Sequence, residues 1–249
     1  MEAVRVANSL HLVVPCYNEH TRLAVDQIGE LTADDRVSLV LVDDGSTDRT
    51  LDLLRSIERD THRVTVIALP RNGGKGEAVR AGLVSSLAAN PSWIGYVDAD
   101  MATPASEILR LLDVAASTPC IDVMIGSRVA LLGRDVQRSA FRHYTGRVFA
   151  TLASVVLSKA VYDTQCGAKL FRRTSAFDRS IAAPFRSRWA FDVELLGRLE
   201  SAGVEPSRYW EEPLLVWHDV SSSRRTVPQS IGAAAELLPI WRDLRRARR

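Results

Sequence analysis

Lysine is nearly absent from this chain of 249 residues: Lys75, Lys159 and Lys169 stand against 29 arginines. Positive charge is therefore carried almost wholly by planar guanidinium forks, which suit phosphate and carboxylate. A genomic preference for arginine codons explains the same bias equally well. Cysteine is also scarce. Cys16, Cys120 and Cys166 are odd in number and show no CxxC spacing, which argues against a disulfide framework and a structural zinc and fits a reducing, cytoplasmic setting. No run of about 18 apolar residues occurs, so no helix is expected to span a membrane. The longest candidate, "IGAAAELLPIW" (231–241), is short and carries Glu236 and Pro239. The N-terminus lacks the charged-then-apolar order of a signal peptide. Neither sign of charge dominates, since the net charge is +2; nothing in the bulk electrostatics calls for a nucleic acid. Neither GxGxxG after the first strand nor GxxxxGK[ST] is present, which argues against dinucleotide binding and a P-loop NTPase. Internal repeats and low-complexity tracts are lacking too.

What remains is an ordinary globular composition, 46% hydrophobic and 25% charged, with a regular alternation of elements. Apolar runs at 10–15, 37–44, 64–70, 93–100 and 122–129 predict strands. Between them, 21–31, 46–60, 76–89 and 104–117 predict helices, the second capped by Ser46 or Thr47. Strands buried on both faces and alternating with helices predict an α/β fold: a mostly parallel sheet flanked by helices, with ligands at the carboxyl ends of the strands. Four polar clusters fall there: Tyr17-Asn18-Glu19, Asp43-Asp44-Gly45-Ser46, Arg71-Asn72-Gly73-Gly74-Lys75 and Asp98-Ala99-Asp100.

Beyond residue 130 the pattern changes. Arg134, Arg138 and Arg142 recur at helical spacing, beside an apolar stripe of Phe141, Tyr144, Val148, Leu152 and Val155. Such a helix suits a membrane surface or an anionic amphiphile, or else packs its stripe on the core. "RRTVPQS" (224–230) reads as a linker. The expected organisation is a catalytic domain over 1–223 and a basic helical tail over 224–249, whose arginine-rich end either touches anionic lipid or is frayed and solvated.

The stretch "YVDADMAT" (96–103) carries the chemistry. Asp98 and Asp100 end an apolar strand, where two unpaired carboxylates would repel and be costly to desolvate. Carboxylate oxygens suit Mg2+ or Mn2+, and Mg2+ commonly takes one or two of them plus substrate phosphates. The bland alternatives are that one of the two caps the helix that follows Pro104, or that both sit solvated in a turn. The glycine-rich loop around Lys75 resembles a phosphate-binding loop.

In this order and spacing, "VVPCYNE" (13–19), "VDDGSTD" (42–48), "NGGKGEAVRAG" (72–82) and "DADMATP" (98–104) resemble the family 2 glycosyltransferases of GT-A fold. The resemblance implies a single GT-A domain with amphipathic helices in its C-terminal half. It also implies a nucleotide-sugar donor, with Pro15, Tyr17, Glu19 and Asp44 around base and ribose. Lys75 and Asp98 would serve the donor phosphates, and Asp98 and Asp100 a divalent metal.

"GSRV" (126–129), "DTQCGAKLFRR" (163–173) and "RWAFDVELL" (188–196) resemble the polyprenyl-phosphate glycosyltransferases, and among them the dolichyl-phosphate β-glucosyltransferases. "DTQCG" favours the glucosyl branch, as does Ala102 where mannosyltransferases usually have Gln. Two features depart from the pattern: Ala168 stands where Phe is common, and the eukaryotic enzymes' N-terminal membrane helix has no counterpart in this sequence. The resemblance implies an inverting, metal-dependent transfer, most simply of glucose from UDP-glucose to a polyprenyl or dolichyl phosphate. Mannose from GDP-mannose, or a soluble acceptor, are the alternatives. Arg128 and Arg142, with Arg138 as a third, are candidates for the acceptor phosphate. Asp192 is the candidate base or acceptor-orienting acid, with Glu194 as its alternative. Asp163 orients the sugar or caps a turn, Trp189 is a sugar-site wall or a core residue, and Arg224 is a phosphate ligand on a mobile loop. Cys166 reads as a packing residue. The expected location is the cytoplasm, peripheral at the inner membrane leaflet.

Overall fold

The computed structural model describes residues 8–137, 140–219 and 227–247. In chain order its strands are β1 (Leu10–Cys16), β2 (Val37–Asp43), β3 (Val64–Ala68), β4 (Trp93–Val97), β5 (Val123–Ser127), β6 (Asp135–Gln137), β7 (Ala168–Arg172), β8 (Tyr209–Pro213) and β9 (Val216–His218). The helices are α1 (Val25–Ala33), α2 (Thr50–Asp60), α3 (Lys75–Ser86), α4 (Ala105–Ser117), α5 (Ala140–Leu157), α6 (Ser175–Ala182), α7 (Phe191–Ser201) and α8 (Val227–Ala247).

Seven strands form one sheet in the order β3-β2-β1-β4-β7-β5-β8, and β6 pairs with β9 apart from it. Within the seven, β7 alone runs antiparallel to its neighbours β4 and β5. The remaining pairings are parallel, as the continuous apolar runs predict. The register sets Cys16 beside Asp43 and Val97 beside Ala168. The carboxyl ends of β1, β2 and β4 therefore share an edge with the start of β7. Reversing β7 delivers the 163–167 turn to the edge that carries Asp43, Asp44, Asp98 and Asp100.

One face of the sheet buries Ile28, Leu31, Leu54, Ile57, Ile108 and Leu111 of α1, α2 and α4. The other buries Val79 and Leu83 of α3, Phe149 and Ala153 of α5, Phe177 of α6, Phe191 and Leu195 of α7, and Leu237, Ile240 and Leu244 of α8.

Several expectations are corrected here. The first two helices start about four residues late. Ser46 does not cap α2: its hydroxyl accepts from Asn18 N at 3.0 Å, and Thr47 N donates to Asn18 Oδ1 at 2.9 Å. Arg134 is not on the α5 face; it lies in the turn before β6, where Gly133 adopts φ +78°. The segment read as a linker already belongs to α8 from Val227, with Pro228 in the first turn, where its missing N–H is harmless. The tail is not frayed as far as residue 247, because Leu237, Ile240 and Leu244 are buried against the body. A β-carbon on Gly197 of α7 would collide with Leu244, so the two helices lie in close contact. Of the two directions left open for the α5 stripe, packing on the core is not the observed one; the Phe141 side chain lies outside what is described. Tyr144, Val148, Leu152 and Val155 are 45% to 71% exposed, and Phe149, Ala150, Ala153 and Val156 bury the opposite side. No helix among the described residues is long and apolar enough to cross a membrane.

Candidate active site

The turn after β2 and the glycine-rich loop are locked together. Asp44 accepts from Gly73 N at 2.7 Å and from Gly74 N at 2.9 Å, one amide per carboxylate oxygen. Burial raises its pKa, and the two amides work against that rise. Gly45 sits at φ +64°, and a β-carbon there would lie 2.5 Å from the Arg71 carbonyl carbon. Only glycine permits both the left-handed turn and this approach. Asp44 thus shapes the loop that presents Lys75 at the N-terminus of α3.

Lys75 forms an ion pair with Asp98 across the strand ends. Its ammonium also lies 5.8 Å from the Phe191 ring at the start of α7. Asp100 is half-buried and accepts from Ala102 N at 3.1 Å. Burial raises its pKa, and the neighbouring Asp98 charge raises it further. Met101, directly after the two carboxylates, takes φ +47°, a left-handed conformation that is uncommon outside glycine. Glu19 contributes negative charge to the same corner. Its pKa is raised by burial, opposed by Arg22, which donates to it at 2.7 Å, and raised again by Asp100. Pro15 lies in β1, half-buried, and Tyr17 follows that strand with its side chain exposed.

Arg128 leaves the end of β5 and meets Asp163 through its fork, Nε to Oδ2 and Nη2 to Oδ1, both at 2.7 Å. Its backbone N–H adds a third bond to Oδ2 at 3.1 Å. Burial alone would lower the arginine's pKa; the Asp163 charge and hydrogen bonds outweigh that and raise it. The Asp163 turn is held from behind by Glu211, which accepts from the N–H groups of Tyr162 and Asp163 at 2.8 and 2.6 Å. Binding Arg128 is a role that neither expectation for Asp163, orienting the sugar or capping a turn, had named.

Asp192, in the first turn of α7, is buried and accepts from Lys169 Nζ at 2.7 Å and from the Tyr96 hydroxyl, both on Oδ1. Its rival Glu194 is occupied otherwise: it accepts from Arg186 N, Ser187 N and Arg198 Nη2. That distinguishes the pair, with Glu194 holding the 186–187 turn and Asp192 standing nearer to β4. Trp189 is 37% exposed, so it is not a core residue. Cys166 is buried and its thiol is pushed up to about 11, first by burial, which fits packing. Arg138 and Arg224 lie outside the described residues. Arg142 falls within α5, its side chain outside what is described.

The sequence profile of glycosyl transferase family 2 matches residues 11–178, well over half of the chain. The chain belongs to glycosyl transferase family 2. This glycosyltransferase is 34% identical over 230 residues to the dolichyl-phosphate beta-glucosyltransferase of Dictyostelium discoideum, covering 86% of this chain and 68% of that protein. It is 31% identical over 253 residues to the enzyme of the same name from Saccharomyces cerevisiae, covering 93% and 73%. Among solved structures it resembles glucosyl-3-phosphoglycerate synthase from Mycobacterium tuberculosis, crystallised with Mn2+, UDP and glucosyl-3-phosphoglycerate. The TM-score is 0.68 at 18% identity, over 95% of this chain and 79% of that one. That likeness shows a shared GT-A fold.

The carboxylates of this glycosyltransferase fit a divalent ion in kind and number. No cluster of three or more His, Cys, Asp or Glu side chains able to hold a metal occurs among the described residues. Two hard oxygen donors are what Mg2+ or Mn2+ takes from a protein when phosphates complete the shell. The raised pKa of Asp100 marks a place where added positive charge relieves both burial and the Asp98 repulsion. Sequence reasoning missed Lys169, Glu211, Arg188 and Glu236. Arg188 donates to Asn72 Oδ1 at 2.6 Å and packs over Gly74. Glu236 of α8 accepts from Trp189 N and Ala190 N, each at 3.0 Å, and from the Ser187 hydroxyl. The scarcity of lysine was a usable signal for Lys169, placed inside an apolar strand; the partners of the other three are distant in sequence.

Proposed function

We propose that this glycosyltransferase moves glucose from UDP-glucose to a polyprenyl phosphate of the dolichyl type, with inversion, at the cytoplasmic surface of a membrane. One observation carries the chemistry: Asp98 and Asp100 stand at one strand end with Lys75, next to an α7 turn that carries Asp192. The named activity of the relatives supports the sugar and the lipid acceptor.

Asp98 and Asp100 would hold Mg2+ or Mn2+, which when bound offsets negative charge on a nucleoside diphosphate. Lys75 adds a point charge to the same diphosphate. Pro15, Tyr17, Glu19 and Asp44 line the approach to base and ribose, with Asp44 acting through the loop it shapes. An acceptor phosphate oxygen bonds to the anomeric carbon as the bond from that carbon to the diphosphate oxygen breaks. A phosphate acceptor is already anionic near neutral pH, so the larger task is to hold it. Asp163 fixes one edge of the Arg128 fork, which aims the rest of the guanidinium. Arg142, Arg138 and Arg224 are the further cations proposed for the phosphates. Asp192 orients the acceptor or takes its residual proton. The exposed stripe of α5 supports a peripheral seat on the lipid surface.

The test is a transfer assay with Mn2+, radiolabelled UDP-glucose or GDP-mannose, and either polyprenyl phosphate or a water-soluble phosphate as acceptor. The expected result is organic-phase label from UDP-glucose only. Label that stays in water with the soluble acceptor, or mannose in the lipid, would overturn this reading.

A further inference from the structure

Lys169 is completely buried, in the second position of β7, where a leucine would pack without the cost of desolvating an ammonium. Its Nζ donates at 2.7 Å to Asp192 Oδ1 and at 2.6 Å to the carbonyl of Cys166. The Tyr96 ring lies 5.4 Å away, and the Tyr96 hydroxyl donates to the same Asp192 oxygen. One charge therefore grips two separate pieces of chain.

The second piece backs the donor side of the site. Gly167 O accepts from Asp98 N at 3.1 Å, and a β-carbon on Gly167 would collide with the Asp98 carboxylate. The Cys166–Gly167 turn is thus the floor under Asp98, and the Cys166 carbonyl is anchored by Lys169. The first piece is the opening turn of α7, which carries Asp192. A buried ion pair is weak evidence for stability as such, since apolar replacements often do as well. What an apolar residue does not supply is a fixed distance between two polar groups on different elements.

The geometry points to Lys169 as a positioning residue for glycosyl transfer: its ammonium is a strut that sets the Asp192 carboxylate against the turn beneath Asp98. The acceptor arm of this inference rests on the role proposed above for Asp192; the donor arm does not.

Four variants test it, each read by calorimetric Kd for UDP with Mn2+, by transfer kinetics and by thermal midpoint. Asp192→Asn is expected to bind UDP as the parent does and to lose ~100-fold or more in kcat. Tyr96→Phe removes one donor from Asp192 and nothing from the turn; kcat falls ~10-fold with donor KM and UDP Kd unchanged. Lys169→Met disturbs both arms, so kcat falls and UDP Kd weakens ~10-fold. The double variant Lys169→Met/Asp192→Asn leaves no unpaired charge and regains the thermal midpoint lost by Lys169→Met, while its UDP Kd stays weak. A purely structural lysine would lower the midpoint and leave Kd per folded molecule alone. UDP binding at the parent Kd in the Lys169 variants overturns the donor arm, and a parental kcat in Lys169→Met overturns the acceptor arm. Should Lys169→Met fail to fold, the double variant supplies the Kd. Parental turnover in Asp192→Asn instead removes the role given to Asp192, and the UDP Kd values still decide the donor arm.

Discussion

Asp100 shows at the scale of one residue how the site departs from what stability alone would select. Its pKa is raised by burial and by Asp98, so the folded protein holds that proton more tightly than the unfolded chain does. The ionised carboxylate therefore costs stability near neutral pH. That cost fades as pH falls through the raised value and is gone below about pH 4, where the unfolded chain is protonated as well. Replacing it by the neutral isostere should raise the thermal midpoint of the metal-free protein at pH 7, by ~2–4 °C for each ~1 kcal/mol relieved. The same Asp100→Asn variant should lose the midpoint increase that Mn2+ with UDP gives the parent. A lowered metal-free midpoint would contradict the electrostatic account. Gly45 makes the complementary case. Alanine there meets both a positive φ and a backbone carbon at 2.5 Å, so urea denaturation should show a loss of ~1–3 kcal/mol or more. The placement of Asp44, Gly45, Asp98 and Asp100 at strand ends was legible because each stands in a short contiguous pattern. The bond from Lys169 to Asp192 was not, because it spans 23 positions and joins a strand to a helix.

Elements were legible where one face decides them. Every predicted strand of the first 130 residues formed, because continuous apolar runs between helices have only the middle of a parallel sheet to occupy. Helix starts were misread where side chains compete with the helix for backbone amides: Asn18, Asp48 and Ser46 tie up the turn ahead of α2. The antiparallel β7 was not legible, since nothing in its own residues states which neighbour it joins. Nor was the use made of α8. Its Glu236 caps α7 from outside, accepting from Trp189 N, Ala190 N and the Ser187 hydroxyl, while Arg186 pairs with Asp243 at 2.9 Å. The helix that reads as a tail thus holds the 187–190 loop, and through Arg188 touches Asn72 in the glycine-rich loop. Glu236→Ala should cost ~1–2 kcal/mol, the scale of a lost N-cap, measured by urea unfolding. It should also lower turnover, because the freed loop carries α7 and Asp192 with it; a stability loss with parental turnover would confine Glu236 to a structural role.

At the scale of the whole molecule, two sets of apolar residues on one helix face opposite ways. Phe149, Ala153 and Val156 hold α5 to the body, and Tyr144, Val148, Leu152 and Val155 stand out from it. The sequence showed the stripe and left its direction open, because periodicity fixes a face but not what lies against it. An exposed apolar stripe on an enzyme proposed to act on a polyprenyl phosphate has a ready use as the surface that enters the lipid headgroup region. Val148 and Val155 are the cleanest probes, being 63% and 67% exposed and distant from Asp98 in sequence. Burying a valine side chain in lipid is worth ~1.5 kcal/mol or less when it starts part-covered, and ~1.4 kcal/mol is tenfold in affinity. The double variant Val148→Glu/Val155→Glu should therefore sediment ~100-fold more weakly with phosphatidylserine-containing vesicles, with its thermal midpoint kept within a few degrees. Transfer to a short-chain, water-soluble prenyl phosphate should persist, while transfer to long-chain acceptor embedded in vesicles collapses. Equal losses on both acceptors would place the stripe in the transfer site itself and not on the membrane.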